Sequence, residues 1–125
     1  MAAAPRLTLA HTVLLCRNLD RTARFYCETL GLSLADELPG WLELDAGATR
    51  LSLRRRDRPY DGEGSVGAGV QLAFRVEPDE VDAWYGRLVD AGVEVVEPPA
   101  TTDYGHRTLF FHDPEGNVVE IYAEL

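Results

Sequence analysis

Three polar side chains stand isolated within strand-like sequence. His11 opens His11-Thr-Val-Leu-Leu, Gln71 opens Gln71-Leu-Ala-Phe-Arg, and Glu120 sits inside Val118-Val-Glu-Ile-Tyr122. An imidazole, an amide oxygen and a carboxylate can hold a divalent cation at three positions and leave others for substrate. A cation so held acts as a Lewis acid toward a chelating pair of substrate oxygens. Two oxygen donors beside one imidazole make a fairly hard donor set, which suits zinc, nickel, manganese or magnesium. Each residue also has a plainer role open to it: a hydrogen-bonded structural histidine, a polar surface amide, a solvated carboxylate.

The elements that must position these groups occur twice. Leu7 to Cys16 reads as a strand, Asn18 or Asp20 as a helix cap, and Thr22 to Leu30 as a helix with Ala23, Tyr26, Cys27 and Leu30 on its apolar stripe. Gly31 ends that helix, and strands follow at Leu32–Leu38, Trp41–Asp45 and Thr49–Arg55. The second copy runs from a strand at Val70–Val76 through a helix opened by Pro78-Asp-Glu, with Val81, Trp84, Leu88 and Val89 buried. Gly92 closes it. Val93–Val96 is a strand that Pro98-Pro99 breaks, and Arg107–Phe111 and Val118–Ala123 form a hairpin about the type I turn residues Asp113-Pro-Glu-Gly116. The reading is therefore an α+β chain of two βαβββ modules, 7–56 and 70–125, joined by a glycine- and proline-rich linker, 57–69.

The two helices align at a shift of 59 positions, Phe25-Tyr26 onto Trp84-Tyr85. That shift sets His11 against Val70, so matching His11 to Gln71 requires one inserted residue. Alternation puts Gln71, Ala73 and Arg75 on one strand face, and Val118, Glu120 and Tyr122 on another, opposite apolar faces that suit the helices. Tyr104 and His106 fall in a polar segment before a strand, where substrate contacts or turn formation are both available roles. Arg54, Arg55, Arg56 and Arg58 form a basic run that either meets an anionic substrate or solvates a strand end. Trp41 is a candidate cavity wall, and His112 is expected to be exposed.

Composition narrows the field. The chain has 125 residues and a net charge of −9, which argues against nucleic acid, because phosphate contacts need a basic face. The opening Met1-Ala-Ala-Ala-Pro is too short and uncharged for a secretory signal, and no stretch suits a membrane span. Cys16 and Cys27 form neither a disulfide framework nor a metal ribbon, so a cytoplasmic location is expected.

The segments His11 through Arg21, Phe25-Tyr26 to Gly31, Tyr104-Gly-His-Arg107 and Asp113 through Tyr122 resemble the vicinal oxygen chelate superfamily. This group includes glyoxalase I, extradiol dioxygenases, fosfomycin-resistance thiol transferases, methylmalonyl-CoA epimerase and bleomycin-binding proteins. The resemblance implies a glyoxalase-like fold, its modules forming a curved mixed sheet around a cavity, and a small-molecule ligand. It also implies pairing into a homodimer. Carried onto this sequence, the family's ligand positions are His11, Ser52, Gln71 and Glu120. Gln71 replaces the commoner histidine and Ser52 a glutamate or glutamine, so the implied metal set is His11, Gln71 and Glu120. Ser52, Arg54, Arg75, Tyr104, His106 and Tyr122 are left to line the substrate site, and no general base is assigned. Two functions follow. One is a divalent-metal-dependent lyase, isomerase or thiol transferase. The other is a metal-free protein that sequesters an aromatic or cationic compound such as a bleomycin-type drug.

Overall fold

A computed structural model describes residues 4–57 and 70–125. The chain divides into two compact units, residues 1–61 and 62–125.

The first unit contains β1 (His11–Cys16), α1 (Leu19–Arg24), a π-helical turn (Phe25–Thr29), β2 (Ser33–Leu38), β3 (Trp41–Asp45) and β4 (Arg50–Arg55). Its sheet has the order β1-β4-β3-β2, with β1 parallel to β4 and the other pairs antiparallel. Alternation sends Leu14, Cys16, Leu44, Leu51 and Leu53 into the core beneath the helix. Each fully buried leucine of this kind contributes about 1.5–3 kcal/mol of transfer free energy. The Asn18 side chain accepts from Arg21 N at 3.0 Å and caps α1.

Beyond α1 the helix widens. Leu30 N donates to Phe25 O, five residues back, at 3.0 Å. The extra residue in the turn brings adjacent Phe25 and Tyr26 both into the core, edge to face at 5.2 Å. The buried stripe is therefore Leu19, Thr22, Phe25 and Tyr26, while Ala23, Cys27 and Leu30 are only half-buried. Of the predicted stripe of Ala23, Tyr26, Cys27 and Leu30, Tyr26 is buried as expected, and the π turn puts Phe25 beside it where a regular helix would have turned Cys27 inward. The first strand is also shorter than its composition suggests. Leu7 and Leu9 are exposed ahead of it, because β4, its pairing partner, starts only at Arg50, opposite His11.

The second unit repeats the order with β5 (Gln71–Arg75), α2 (Glu80–Asp90), β6 (Val95–Thr101), β7 (His106–His112) and β8 (Val118–Glu124). Its sheet runs β5-β8-β7-β6, again with one parallel pair, β5 with β8. Leu109, Phe111, Val119, Ile121 and Ala123 are buried, as are Val81 and Leu88 of α2. The other two residues of the predicted α2 stripe differ: Trp84 is half-buried and Val89 is exposed. Instead, Arg107 of β7 reaches Asp82 of α2 through two contacts of 3.0 and 3.2 Å.

Pro98-Pro99 does not break β6. The strand passes through both prolines with two register shifts against β7. As the edge strand of its sheet it tolerates residues without an N–H on the unpaired side. The 113–117 turn forms as its residues predict. Gly116 N donates to Asp113 O at 3.0 Å, and Gly116 takes a φ of 83°, which glycine adopts without strain. His112 is half-buried beside Glu94, its Nδ1 3.4 Å from the carboxylate, rather than exposed.

Candidate functional site

Each sheet packs one face into its core and leaves the other carrying polar groups. In the first unit that open face bears His11, Val13, Leu15, Trp41, Glu43, Ser52 and Arg54, because the register sets Val13 and Glu43 beside Ser52, and Leu15 and Trp41 beside Arg54. Ser52 is completely buried, and its hydroxyl lies 3.1 Å from His11 Nδ1. Glu43 Oε1 is 3.8 Å from the same nitrogen. The Trp41 ring stands 6.5 Å from the His11 ring, centroid to centroid, which resolves its facing in favour of the histidine. Glu43 is the residue that sequence reasoning missed. The alternation of Trp41-Leu-Glu-Leu-Asp45 separates it from the buried Leu44, but only the β3–β4 register sets it opposite Ser52.

In the second unit the open face bears Gln71, Ala73 and Arg75 of β5, Val118, Glu120 and Tyr122 of β8, and His106, Thr108 and Phe110 of β7. Gln71 Nε2 donates to Glu120 Oε1 at 3.3 Å. That bond leaves the amide oxygen of Gln71 to accept a proton or coordinate a cation. His106 stacks on Tyr122 with ring centroids 5.3 Å apart and planes 22° apart, and Tyr104 meets His106 edge-on at 5.1 Å. Arg75 is exposed on β5 opposite Tyr122.

The sequence-named residues thus gather in two sets, His11 with Ser52 and Gln71 with Glu120, with Tyr104, His106 and Tyr122 beside the second. The sets are equivalent by position. His11 and Gln71 each open the first strand of their unit, and Ser52 and Glu120 are each the third residue of the last strand. His11 pairs with Arg50, two before Ser52, as Gln71 pairs with Val118, two before Glu120. This register supplies the one-residue offset that the helix alignment lacks.

An imidazole, an amide oxygen and a carboxylate on accessible strand faces fit a divalent cation by donor chemistry. Among the described residues no three His, Cys, Asp or Glu side chains cluster within bonding range. Of the basic run, Arg54 lies on the open face and Arg55 is exposed, while Arg58 is outside the described residues. Arg55 instead lines a groove of about 450 Å³ with Leu19, Asp20, Glu37 and Leu42, which contains none of the named site residues. No helix among the described residues is long and apolar enough to cross a membrane.

Comparison with known proteins places this arrangement. A glyoxalase/bleomycin resistance protein/dioxygenase from Nocardioides superposes with a TM-score of 0.83 at 27% identity, covering 98% of this chain and 87% of that one. Lactoylglutathione lyase from Agrobacterium tumefaciens superposes with a TM-score of 0.76 at 26% identity, covering 96% of each. The Bacillus subtilis (strain 168) protein YraH is 29% identical over 128 residues, 90% of this chain and 94% of that one. Residues 8–121 match the family model of one superfamily, and the chain belongs to it: the Glyoxalase/Bleomycin resistance protein/Dioxygenase superfamily.

Proposed function

We propose that the protein binds a small molecule on the polar faces of its sheets and acts on it with a divalent cation, for which His11, Gln71 and Glu120 are the candidate ligands. The observation that carries this reading is the positional equivalence of His11–Ser52 and Gln71–Glu120: a side chain with a cation-compatible donor atom opens the first strand of each duplicated module. The cation, when bound, supplies Lewis acidity toward paired oxygens of the substrate. The chain's own residues do the rest. Tyr122 and His106 present a flat surface beside Glu120, Tyr104 extends it, and Arg54 and Arg75 offer cationic hydrogen-bond donors to an anionic substrate. Ser52 holds the His11 ring. The reaction class is that of a lyase, isomerase or thiol transferase, in keeping with the similarity to lactoylglutathione lyase. The protein works in the cytoplasm as a homodimer.

Elemental analysis of protein purified without chelators tests this reading, followed by calorimetric titration with zinc, nickel and manganese. Stoichiometric uptake that His11→Ala and Glu120→Gln each weaken by at least tenfold is the expected result. A wild-type protein that takes up none of these metals overturns it.

A second reading has its own observation, the Tyr104–His106–Tyr122 ring array next to a carboxylate in a chain of net charge −9. It is a metal-free protein that sequesters an aromatic or cationic compound, stacking it on those rings. Calorimetry with a bleomycin-type glycopeptide measures this directly. Heat that Tyr122→Ala abolishes supports it, and absence of heat at high ligand concentration removes it.

A further inference from the structure

The His11 ring has two nitrogens, and only one of them can carry its chemistry. Nδ1 lies 3.1 Å from the buried Ser52 hydroxyl and 3.8 Å from the Glu43 carboxylate. A neutral imidazole donates from one nitrogen and accepts at the other, so whatever fixes the proton on Nδ1 makes Nε2 a lone-pair donor. The serine cannot make that choice alone. A hydroxyl both donates and accepts, so Ser52 Oγ satisfies either tautomer by rotating its proton.

Glu43 breaks the tie. A carboxylate accepts only, and its negative charge lowers the energy of the tautomer whose N–H dipole points toward it. At 3.8 Å it is too far for a direct hydrogen bond and close enough for its field to act. Water screens part of this field, because the His11 side chain is 40% exposed, but Glu43 is only 22% exposed and the fully buried Ser52 closes the side of the ring that bears Nδ1. The sheet register supports the arrangement, because Glu43 is the Cα partner of Ser52 across β3–β4. Alternation then fixes which side of the sheet Glu43 takes, with Leu44 in the core.

We propose that Glu43 is a positioning residue: its carboxylate, acting with the Ser52 hydroxyl, keeps the His11 proton on Nδ1 and presents Nε2 as the coordinating or proton-accepting atom. This rests on the proposed role of His11 for its use, but not for its truth. The tautomer is a property of the protein without any metal.

The test is two-bond ¹H–¹⁵N correlation of the imidazole rings in metal-free protein at mildly alkaline pH, where neutral rings dominate. The chain holds three histidines, and loss of one set of signals in His11→Gln assigns His11. The Nδ1–H pattern is expected for His11 in the wild type. In Glu43→Ala it should revert toward the Nε2–H form that a free imidazole favours in water; Glu43→Asp, which keeps the charge, should restore part of the original pattern, and Glu43→Gln, which donates as well as accepts and is uncharged, should not. Zinc affinity in Glu43→Ala should fall about 10–100-fold, the usual cost of losing an outer partner of a metal-bound histidine. An Nε2–H pattern in the wild type, or an Nδ1–H pattern that survives Glu43→Ala, overturns the proposal. An Nδ1–H wild type that binds no metal leaves Glu43's role standing and removes the metal-dependent function instead.

Discussion

Ser52 and Glu120 hold the same station in the two modules, each three residues into a last strand and each hydrogen-bonded to the first residue of the parallel neighbour. They differ in burial. Ser52 is fully enclosed, whereas the Gln71–Glu120 pair is exposed.

That difference predicts unequal costs of truncation. Ser52→Ala removes the partner of a part-buried imidazole and should lower stability by about 1 kcal/mol. Gln71→Ala breaks a bond that water replaces, and should change stability by less than about 0.5 kcal/mol. Denaturant titrations of the two variants make the comparison; equal losses would mean that burial does not govern this pair of sites.

Asp113 should be the most sensitive turn residue. Its Oδ1 accepts from Glu115 N at 2.9 Å and Asn117 N at 2.8 Å, and its Oδ2 accepts from Asn117 Nδ2 at 2.8 Å, all in buried surroundings. Asp113→Ala strands these donors and should cost about 3 kcal/mol, which for a domain of this size lowers the melting temperature by about 10 °C. Differential scanning calorimetry reads that shift, and Asp113→Asn should fall between the variant and the wild type.

The Arg107–Asp82 pair makes a contrasting case. Its two contacts look strong, yet the Asp82 side chain is 65% exposed and the pair is screened by solvent. A double-mutant cycle with Arg107→Leu and Asp82→Ala should give a coupling of no more than about 1 kcal/mol, and less at high salt.

Cys27 should be a slow thiol. Burial, and secondarily the neighbouring Glu28 carboxylate, push its pKa up. The attacking species is the thiolate, so a raised pKa leaves less of it at neutral pH than a free cysteine has. Reaction with a chromogenic disulfide should therefore lag at neutral pH and accelerate as pH climbs through the elevated value. Glu28→Gln should bring the acceleration to lower pH. Cys16, fully buried, should react only on unfolding.

The element order, the open faces of β5 and β8 and the Asp113 turn were legible in the sequence because each follows from local rules: period-2 alternation, helix-opening residues and turn chemistry. Boundaries set by a partner strand were not. Leu7 and Leu9 alternate like a strand but lie ahead of the first residue that β4 pairs. On the α1 stripe Tyr26 was legible, but Phe25 in place of Cys27 was not, because a π turn leaves no mark on a 3.6-residue period; Pro98-Pro99 was misread because a strand's edge position is a property of the sheet. Glu43 was missed for a similar reason. Its alternation is visible, but its neighbour across β3–β4 is a matter of register.

The two prolines in β6 have a consequence beyond their own strand. A sheet margin with its full row of free amide hydrogens offers a template on which another polypeptide can crystallise its own extended segment. Neither Pro98 nor Pro99 has an N–H to offer such a template, and the register slips beside them interrupt the regular ladder. The outermost strand of the second sheet is thereby made a poor seed for fibrous growth, a safeguard written into the covalent chain itself.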